Sequence, residues 1–499
     1  MQTARRAVQK SDATRPAIEH RALAAAIVAA VLLVVARSLV FAVYEQANFD
    51  SDQAIVGLMA KHLAEGRALP LFFYGQTYML AVEAWLAAPV LWIAGPTVAA
   101  LRASLILTNG AVAVCLLIGL HRWGGLRPAA ALVATAFFTV APPRTSAFLV
   151  EAQGGNIEPF LYVLVAWFLR RRPFWLGAVL AMGFLNREFS IYAVPVLLAA
   201  EAIEGTLWRA DGVRRWLFTA LTFLVVWDGV LAVRPYADLA GPGTHGSPLG
   251  GFPGSQIDNL TARARLTPAE LPGRAAVLGT DLYPRLLGGV RIEDPVAAQG
   301  RKWIGYLLAV GLIAGLVRIA MLSRRGALPP AASFGWYLLG LGVVASVAYV
   351  LTRSASTPTL RYVLLALYLP IGVTAVWLAA EPRAWIRRAL AAGVMVWAAA
   401  AVWDHLQLTN RYRRGTEPND IRVLADALEA RGVRVAEAPY WRAYKLSYLT
   451  GERVKVASTD VVRIEEYQRL AQAEPRLTRI RDAPCPGGEH VVFWYLCRD

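Results

Sequence analysis

The sequence has few charged residues, few cysteines and few histidines for its length of 499 residues. Charged residues make up 17% of it, against roughly 25% in ordinary soluble domains. Three cysteines are too few for a secreted disulfide scaffold. The six histidines are scattered without an HExxH motif, and neither a Walker phosphate loop nor a GxGxxG turn occurs. ATP-driven transport therefore has no motif in this chain.

Apolar residues, in contrast, make up 57% of the chain, more than a soluble protein can hide in its core. We therefore predict a polytopic membrane protein, in which a helix needs roughly 20 apolar residues to cross the bilayer. The candidate spans are the apolar runs 22–43, 103–120, 129–141, 159–169, 175–185, 191–203, 216–233, 303–317, 331–351, 360–380 and 389–403.

The net charge of +16 is distributed in a way that predicts an orientation. Arginines concentrate in alternate loops, at 122–127, 170–172, 209–215, 318–325 and 383–388. Because Lys and Arg are enriched in cytoplasmic loops, the N-terminus is predicted to lie inside and the C-terminus outside. The same pattern accounts for much of the positive charge without a nucleic-acid partner.

The aromatic run 70–94 must stay on the outer side for this orientation to hold. We predict that it lies at the membrane interface or re-enters the membrane, since aromatic rings are enriched at that depth. The rings concerned are Phe72, Phe73, Tyr74, Tyr78, Trp85 and Trp92.

The predicted architecture is an all-α transmembrane bundle of about eleven spans over 1–410, followed by a small α/β domain over 411–499. Residues 44–95 form the first outer loop, and 234–302 form a second long one. In the C-terminal domain the patterns predict helices at 420–431 and 440–449, strands at 433–436 and 454–457, and a strand-like run at 490–496. Cys485 and Cys497 flank that run and can form a disulfide if this end is extracytoplasmic.

Polar residues cluster on the predicted outer side, and such groups near a membrane are costly enough to mark a functional site. Asp50 and Asp52 open a helix that is predicted to stop at Gly66. The simpler interpretation is that Asp50 or Ser51 caps this helix and Asp52 complements its dipole. The other candidate residues are Tyr74, Gln76, Glu83, Glu151, Asn156, Glu158, Arg187, Glu188, Arg361 and Tyr362.

Each of these other clusters also has a structural interpretation. Gln76 can be a hydrogen-bonding member of an aromatic belt, Glu158 can cap the next span, and Arg187 and Glu188 can form an ion pair. Two glycines, Gly154 and Gly155, break the helical pattern and are expected to expose their backbone N–H groups. Together the clusters suit a phosphate-bearing lipid and a hydroxyl acceptor, since a carboxylate can take the acceptor's proton and an arginine can stabilise a phosphate.

Residues 49–66 (Phe-Asp-Ser-Asp-Gln through Gly) and 71–78 (Leu-Phe-Phe-Tyr-Gly-Gln-Thr-Tyr) resemble the first outer loop of GT-C membrane glycosyltransferases. The layout is similar to that of the protein-mannosyltransferase and aminoarabinose-transferase superfamily, in particular its bacterial members. The resemblance implies a polyprenyl-phosphate-linked sugar donor, an inverting transfer, and a lipid, glycan or protein acceptor. It places the active site on the periplasmic face of the bacterial inner membrane.

The same resemblance assigns the general base to Asp52, which begins its helix as the family's Asp does. The family usually has Asp-Glu at these positions, whereas this chain has Asp52-Gln53. A divalent cation shared by Asp52, Glu158 and Glu188 is a further possibility on carboxylate chemistry. Two other classes stay open: a lipid or saccharide transporter, and a catalytically inactive GT-C-like scaffold whose C-terminal domain binds a partner.

Overall fold

The structure is a computed structural model, and it describes residues 2–76, 79–238, 257, 261, 268–289, 302–324, 332–352 and 359–498. Most of these residues are helical. The helices before the C-terminal domain are α1 (Gln2–Val43), α2 (Ser51–Ala64), α3 (Val82–Ala94), α4 (Val98–Arg122), α5 (Pro128–Thr139), α6 (Pro143–Leu149), α7 (Glu158–Leu169), α8 (Pro173–Asn186), α9 (Ala193–Ile203), α10 (Ala210–Asp238), α11 (Leu271–Val277), α12 (Tyr283–Leu286), α13 (Lys302–Arg324), α14 (Ser333–Leu351), α15 (Tyr368–Ala380) and α16 (Ala384–Arg413).

Short segments of tighter or wider helix extend several of these elements. The 3₁₀ turns Glu188–Tyr192 and Leu360–Leu367 lead directly into α9 and α15. A further 3₁₀ turn, Pro268–Glu270, precedes α11, and the π-helical turn Leu278–Leu282 joins α11 to α12.

Seven of the described helices are long and apolar enough to cross a membrane. They are Glu19–Val43, Val98–Arg122, Ala210–Arg234, Tyr306–Arg324, Ser333–Leu351, Leu360–Ala380 and Ala384–Arg413. The remaining predicted spans fall on α5, α7, α8 and α9, which are 11 to 14 residues long. Such helices are about 17 to 21 Å long, less than the roughly 30 Å of a bilayer core. The helical, multi-pass architecture is therefore confirmed, and the number of complete crossings stays a prediction.

Glycines let the backbones of α14 and α15 approach each other closely. A Cβ added to Gly342 on α14 would lie 2.3 Å from the Leu369 nitrogen, and one added to Gly372 on α15 would lie 2.3 Å from the Leu339 nitrogen. Small residues at such crossings let membrane helices pack by van der Waals contact, which matters because lipid supplies no hydrophobic force between helices.

The aromatic segment before α3 is folded into the protein. Phe72, Phe73 and Tyr74 are buried, whereas the sequence predicts a segment that lies at the membrane interface or re-enters the membrane. Phe72 pairs with Leu80 in an isolated antiparallel bridge, and the Leu80 N–H donates to the carbonyl oxygen of Leu185, so the end of α8 covers the segment. Trp92, in contrast, is 75% exposed on α3, as an interfacial ring would be. Tyr78 lies outside the described residues.

The C-terminal domain is a five-stranded sheet with three helices. Its elements are α17 (Asp420–Ala430), β1 (Val435–Ala438), α18 (Tyr440–Leu449), β2 (Lys455–Ser458), α19 (Glu465–Ala473), β3 (Thr478–Arg481), β4 (Glu489–Val491) and β5 (Trp494–Arg498). The strand order is β2-β1-β3-β5-β4. β1 runs parallel to β2 and β3, whereas β5 runs antiparallel to β3 and β4.

The predicted strand-like run 490–496 is a hairpin rather than one strand. β4 and β5 pair at Val491 and Trp494 around a two-residue turn, in which Val492 has a φ of 56°. Cys485 and Cys497 form the disulfide that the sequence allowed, and it ties the loop before this hairpin to β5.

Candidate active site

Asp50 and Gln53 shape the start of α2. Asp50 caps the helix, because its Oδ1 accepts a hydrogen bond from the Gln53 backbone N–H at 3.0 Å; the capping prediction is confirmed. The Gln53 side chain is fully buried and donates through Nε2 to the backbone oxygen of Asn48 at 2.7 Å. Arg102 donates to the same oxygen. A glutamate at position 53 has no N–H group for this carbonyl, so the amide suits the turn that Asn48 makes with its φ of 55°.

The loop between α6 and α7, residues 150–157, connects Asp50 to the other side of the site. Gln153 donates through Nε2 to Asp50 Oδ2 at 2.5 Å. Its own Oε1 accepts from Arg361 Nη1 at 3.2 Å, and Arg361 also donates to the Gln153 backbone oxygen. Gln153 thus joins a carboxylate to a guanidinium; the sequence places it in the same polar cluster as Glu151 and Glu158 but assigns it no role.

Glu151 is buried in the same loop, near enough to Asp50 for the two charges to interact. One of its carboxyl oxygens accepts from the Asn48 side chain, and the other accepts from Asn156 Nδ2 at 3.2 Å. Burial raises the pKa of Glu151 to about 7, the charge of Asp50 adds to this, and the Asn48 hydrogen bond opposes it. The pKa of Asp50 is also raised, first by burial and then by the charge of Asp52.

The two glycines of the loop bind a protein carboxylate instead of exposing their N–H groups. The N–H of Gly154 donates to Glu83 Oε2 at 2.6 Å, and that of Gly155 donates to Glu83 Oε1 at 2.8 Å. Both glycines have positive φ values, 73° and 98°, which L-residues rarely adopt. Glu83 therefore anchors the loop, and the expectation of open backbone donors here was wrong because this carboxylate occupies them.

Glu158 and Arg187 lie on the far side of the glycines. Glu158 is buried at the first turn of α7, beside Glu83. It is not the capping residue, because Ile157 occupies the N-cap position of α7 and no side chain makes a capping hydrogen bond there. In the part of the chain that the structure describes, neither carboxyl oxygen of Glu158 has a conventional hydrogen-bond partner. A Cβ at Gly155 would lie 3.0 Å from Arg187 Cβ, so the buried arginine runs directly along the loop.

Glu188 and Tyr362 are the remaining predicted site residues on the Arg187 side of the loop. Glu188 is buried and opens the 3₁₀ turn that leads into α9. The Arg187 guanidinium carbon lies 5.5 Å from the centre of the Phe189 ring, and Tyr362 meets the same ring edge-on at 6.2 Å. Arg187 and Tyr362 therefore meet at the Phe189 ring, and Glu188 lies between Arg187 and Phe189 in the sequence.

Asp52 points toward the C-terminal domain. Its Oδ1 accepts a hydrogen bond from the hydroxyl of Tyr440, the first residue of α18. Ser51 Oγ donates to the backbone oxygen of Tyr440 at 2.6 Å. Arg463 lies beside the Tyr440 ring, at 5.8 Å from its centre, and donates to the Gly75 oxygen at 3.1 Å. Sequence patterns gave no role to Tyr440 or Arg463, because each is remote along the chain from the first loop.

Tyr74 lies at the contact between the first loop and the C-terminal domain, and Gln76 belongs to the turn that follows it. The Tyr74 hydroxyl lies 3.0 Å from His62 Nδ1, and His62 Nε2 lies 3.0 Å from Glu452 Oε1. The Gln76 backbone N–H donates to the Phe73 oxygen at 2.9 Å. Arg463 also contacts this turn, since its guanidinium stacks on the Phe73 ring at 5.5 Å.

The carboxylates predicted to share a divalent cation do not assemble into a metal site. Among the described residues, no three His, Cys, Asp or Glu side chains come together in a way that could hold a metal ion. Asp52 is hydrogen-bonded to Tyr440, whereas Glu158 lies beside Glu83.

An apolar groove runs along the bundle between α13, α15 and α16. Its volume is about 660 Å³, and its lining is almost entirely apolar, including the indoles of Trp303, Trp377, Trp385 and Trp397. The lining extends along α16 from Trp385 to Ala400, a distance of about 22 Å at 1.5 Å per residue. This length and chemistry fit a long hydrocarbon chain.

No protein-family model matches the chain, and no curated protein sequence matches it. Among solved structures it is similar to ArnT from Cupriavidus metallidurans in the apo state, with a TM-score of 0.56 and 12% identity over 93% of this chain and 96% of that chain. ArnT bound to undecaprenyl phosphate gives a TM-score of 0.55 and 12% identity over 93% and 97% of the two chains. The chain therefore shares the GT-C fold with ArnT, as the first-loop resemblance predicted.

Proposed function

We propose that the protein is an integral-membrane glycosyltransferase that moves a sugar from a polyprenyl-phosphate donor to an extracytoplasmic lipid, glycan or protein. The observation that carries this proposal is that a carboxylate and a guanidinium belong to one connected set of side chains on a GT-C fold. Asp52 supplies a carboxylate at the start of α2, and next to it the Asp50–Gln153 contact leads to the Arg361 guanidinium. The similarity to ArnT, which was solved with undecaprenyl phosphate, supports a polyprenyl carrier.

In the proposed reaction Asp52 accepts the proton of an acceptor hydroxyl as its oxygen attacks the anomeric carbon of the sugar. The new carbon–oxygen bond forms as the bond from that carbon to the phosphate oxygen breaks, and the configuration inverts. The electron pair leaves with the polyprenyl phosphate. Arg361 and Arg187 carry the positive charge that stabilises this leaving group.

The apolar groove offers a place for the isoprenoid tail of the donor. A tail in this groove would pack by van der Waals contact against the apolar side chains of α13, α15 and α16, since lipid supplies no hydrophobic force for its binding. The arginine-rich loops support a bacterial inner-membrane orientation in which the C-terminal domain and the site face the periplasm.

The test is a transfer assay in isolated membranes with radiolabelled polyprenyl-phosphate sugars, comparing the wild type with Asp52→Asn. We expect loss of at least 100-fold in rate, in line with the roughly 10² to 10⁴ that a general base contributes. Asp426→Asn is the matched control, because it makes the same chemical change at an exposed position of α17. Equal amounts of each protein in the membrane and equal melting temperatures would show that the variants fold.

Two results would contradict the proposal in different ways. If the wild type transfers sugar from none of the donors, the chain is an inactive scaffold or a transporter. If Asp52→Asn transfers as fast as the control, the chain is a transferase whose base lies elsewhere.

A further inference from the structure

The C-terminal domain is fastened to both ends of α2, the helix that carries Asp52. At the far end Glu452 accepts from Lys61 Nζ at 2.6 Å and from Arg67 Nη1 at 2.7 Å, and it lies 3.0 Å from His62 Nε2. Burial alone would raise the pKa of Glu452, but the hydrogen bonds and charges of His62, Arg67 and Lys61 outweigh it and lower the pKa well below its ordinary value. The carboxylate is thus charged at physiological pH and pairs with Lys61 and Arg67 in that state.

In the middle of α2 the contact is close packing. A Cβ added to Gly57 would lie 2.4 Å from the ring of Tyr448 on α18, so the two helices approach as closely as a glycine allows. The Tyr448 hydroxyl continues past α2 and donates to the Thr97 oxygen at 2.8 Å. The domain therefore has a defined position against the bundle.

At the near end this position places Tyr440 on Asp52. The Tyr440 N–H donates to Asp460 Oδ1 at 2.7 Å, and its backbone oxygen accepts from Ser51. The ring is 5% exposed and packs edge-on against Tyr444 at 5.4 Å. With the backbone held on both sides and the ring packed, the hydroxyl is a fixed donor.

The Tyr440 hydroxyl engages only one oxygen of Asp52. It donates to Oδ1, and in the described ranges of the chain Oδ2 accepts no hydrogen bond. Burial and the charge of Asp52 raise the pKa of Tyr440, so the hydroxyl keeps its proton and acts as a donor. A carboxylate with one oxygen held presents the other in a defined direction.

We infer that the C-terminal domain completes the active site by supplying Tyr440 as a positioning residue for Asp52. Tyr440 holds Oδ1, and Oδ2 is thereby aimed at the acceptor hydroxyl whose proton it takes. This inference rests on the proposed function. It gives the domain a direct part in the reaction that a partner-binding domain would not have.

The experiment compares Tyr440→Phe with Tyr448→Phe in the full-length protein. Both changes remove one buried hydroxyl from α18 and keep the ring, but only the first hydroxyl contacts Asp52. We expect Tyr440→Phe to lower kcat about 10-fold or more, the effect of losing one hydrogen bond to a charged group, and to leave the KM for the donor unchanged. Tyr448→Phe should keep the wild-type kcat.

A double-mutant cycle separates positioning from a general structural effect. In an Asp52→Asn background, the residual transfer rate should not fall further on adding Tyr440→Phe, because the tyrosine acts only through the carboxylate. Melting temperatures of all variants are measured alongside to show that they fold.

The outcomes distinguish this inference from the function on which it rests. If the wild type transfers no sugar, the proposed function fails and the inference fails with it. If the wild type is active but Tyr440→Phe keeps its kcat, or lowers it equally with and without Asp52, the positioning role alone is wrong. An equal loss in Tyr448→Phe would also overturn it, since docking of the domain rather than the Tyr440 hydroxyl would then set the rate.

Discussion

Replacing Glu151 by Gln should remove the part of the pH dependence of folding stability that this one buried carboxyl contributes. The ordinary glutamate pKa of 4.5 applies to the unfolded chain, whereas the buried Glu151 has a pKa of about 7. Between these values the unfolded chain loses its proton before the folded one does. Stability contributed by the protonated carboxyl is therefore complete below pH 4.5 and falls as the pH rises toward 7.

The size of the effect follows from the difference between the two pKa values. A difference of about 2.5 units at 1.36 kcal/mol per unit corresponds to about 3 kcal/mol lost between pH 4.5 and 7, with no further change above that range. A glutamine cannot ionise. Its amide oxygen can still accept from the Asn48 side chain, and its N–H₂ group can donate to Asn156 Oδ1 once the Asn156 amide turns over. The stability of Glu151→Gln minus that of the wild type should therefore be larger at pH 8 than at pH 5.

Tryptophan fluorescence during heating of the detergent-purified protein measures this effect, with scans at one rate from pH 5 to 8 because membrane proteins often unfold irreversibly. The informative quantity is the change with pH in the melting-temperature difference between variant and wild type. Glu204→Gln, at an exposed position, is the control and should follow the wild type. A difference that stays constant across the range, or shrinks with rising pH, would refute the assignment of a raised pKa to Glu151.

Three further changes test other parts of the structure. Gly57→Ala should cost about 1 to 3 kcal/mol by forcing the Tyr448 ring aside, and faster proteolytic release of the C-terminal domain measures it; unchanged proteolysis would contradict the close packing. Cys485→Ser should lower the free energy of unfolding of the domain, measured with denaturant, by about 3 kcal/mol, as expected for a disulfide that closes a loop with a sequence separation of 12. A reductant should lower the wild type to the same value and leave the variant unchanged. Glu83→Gln should destabilise by about 1 to 3 kcal/mol, because an amide N–H₂ then faces one of the two glycine donors; an unaltered melting temperature would argue against this anchor.

Local signals in the sequence were sufficient for much of the fold. Helix α18 begins and ends at the predicted residues 440 and 449, and Asp50 caps α2 as its side-chain chemistry indicates. The hairpin at Val492 was missed because a valine with positive φ carries no turn signature, unlike Gly or Asn.

The arrangement of the candidate site was harder to predict, for a physical reason. Capping and periodicity depend on residues a few positions apart, whereas Tyr440 meets Asp52 across 388 positions. Glu83 and the two glycines it binds are likewise separated by 71 and 72 positions. Polar residues on the predicted outer side indicated where a site would form, but which of them bind one another depends on how distant helices pack.

The separation between Asp52 and Tyr440 has a consequence for how the protein is made. At roughly 5 to 20 residues per second, a ribosome needs about 20 to 80 s to add the 388 residues from position 53 to Tyr440. During that time the helices of the bundle are synthesised while Asp52 still lacks its hydrogen-bond donor. A chain released early, before residue 440, would carry the proposed base without the group that orients it. Under the proposed mechanism, such unfinished chains would not efficiently consume the lipid-linked sugar.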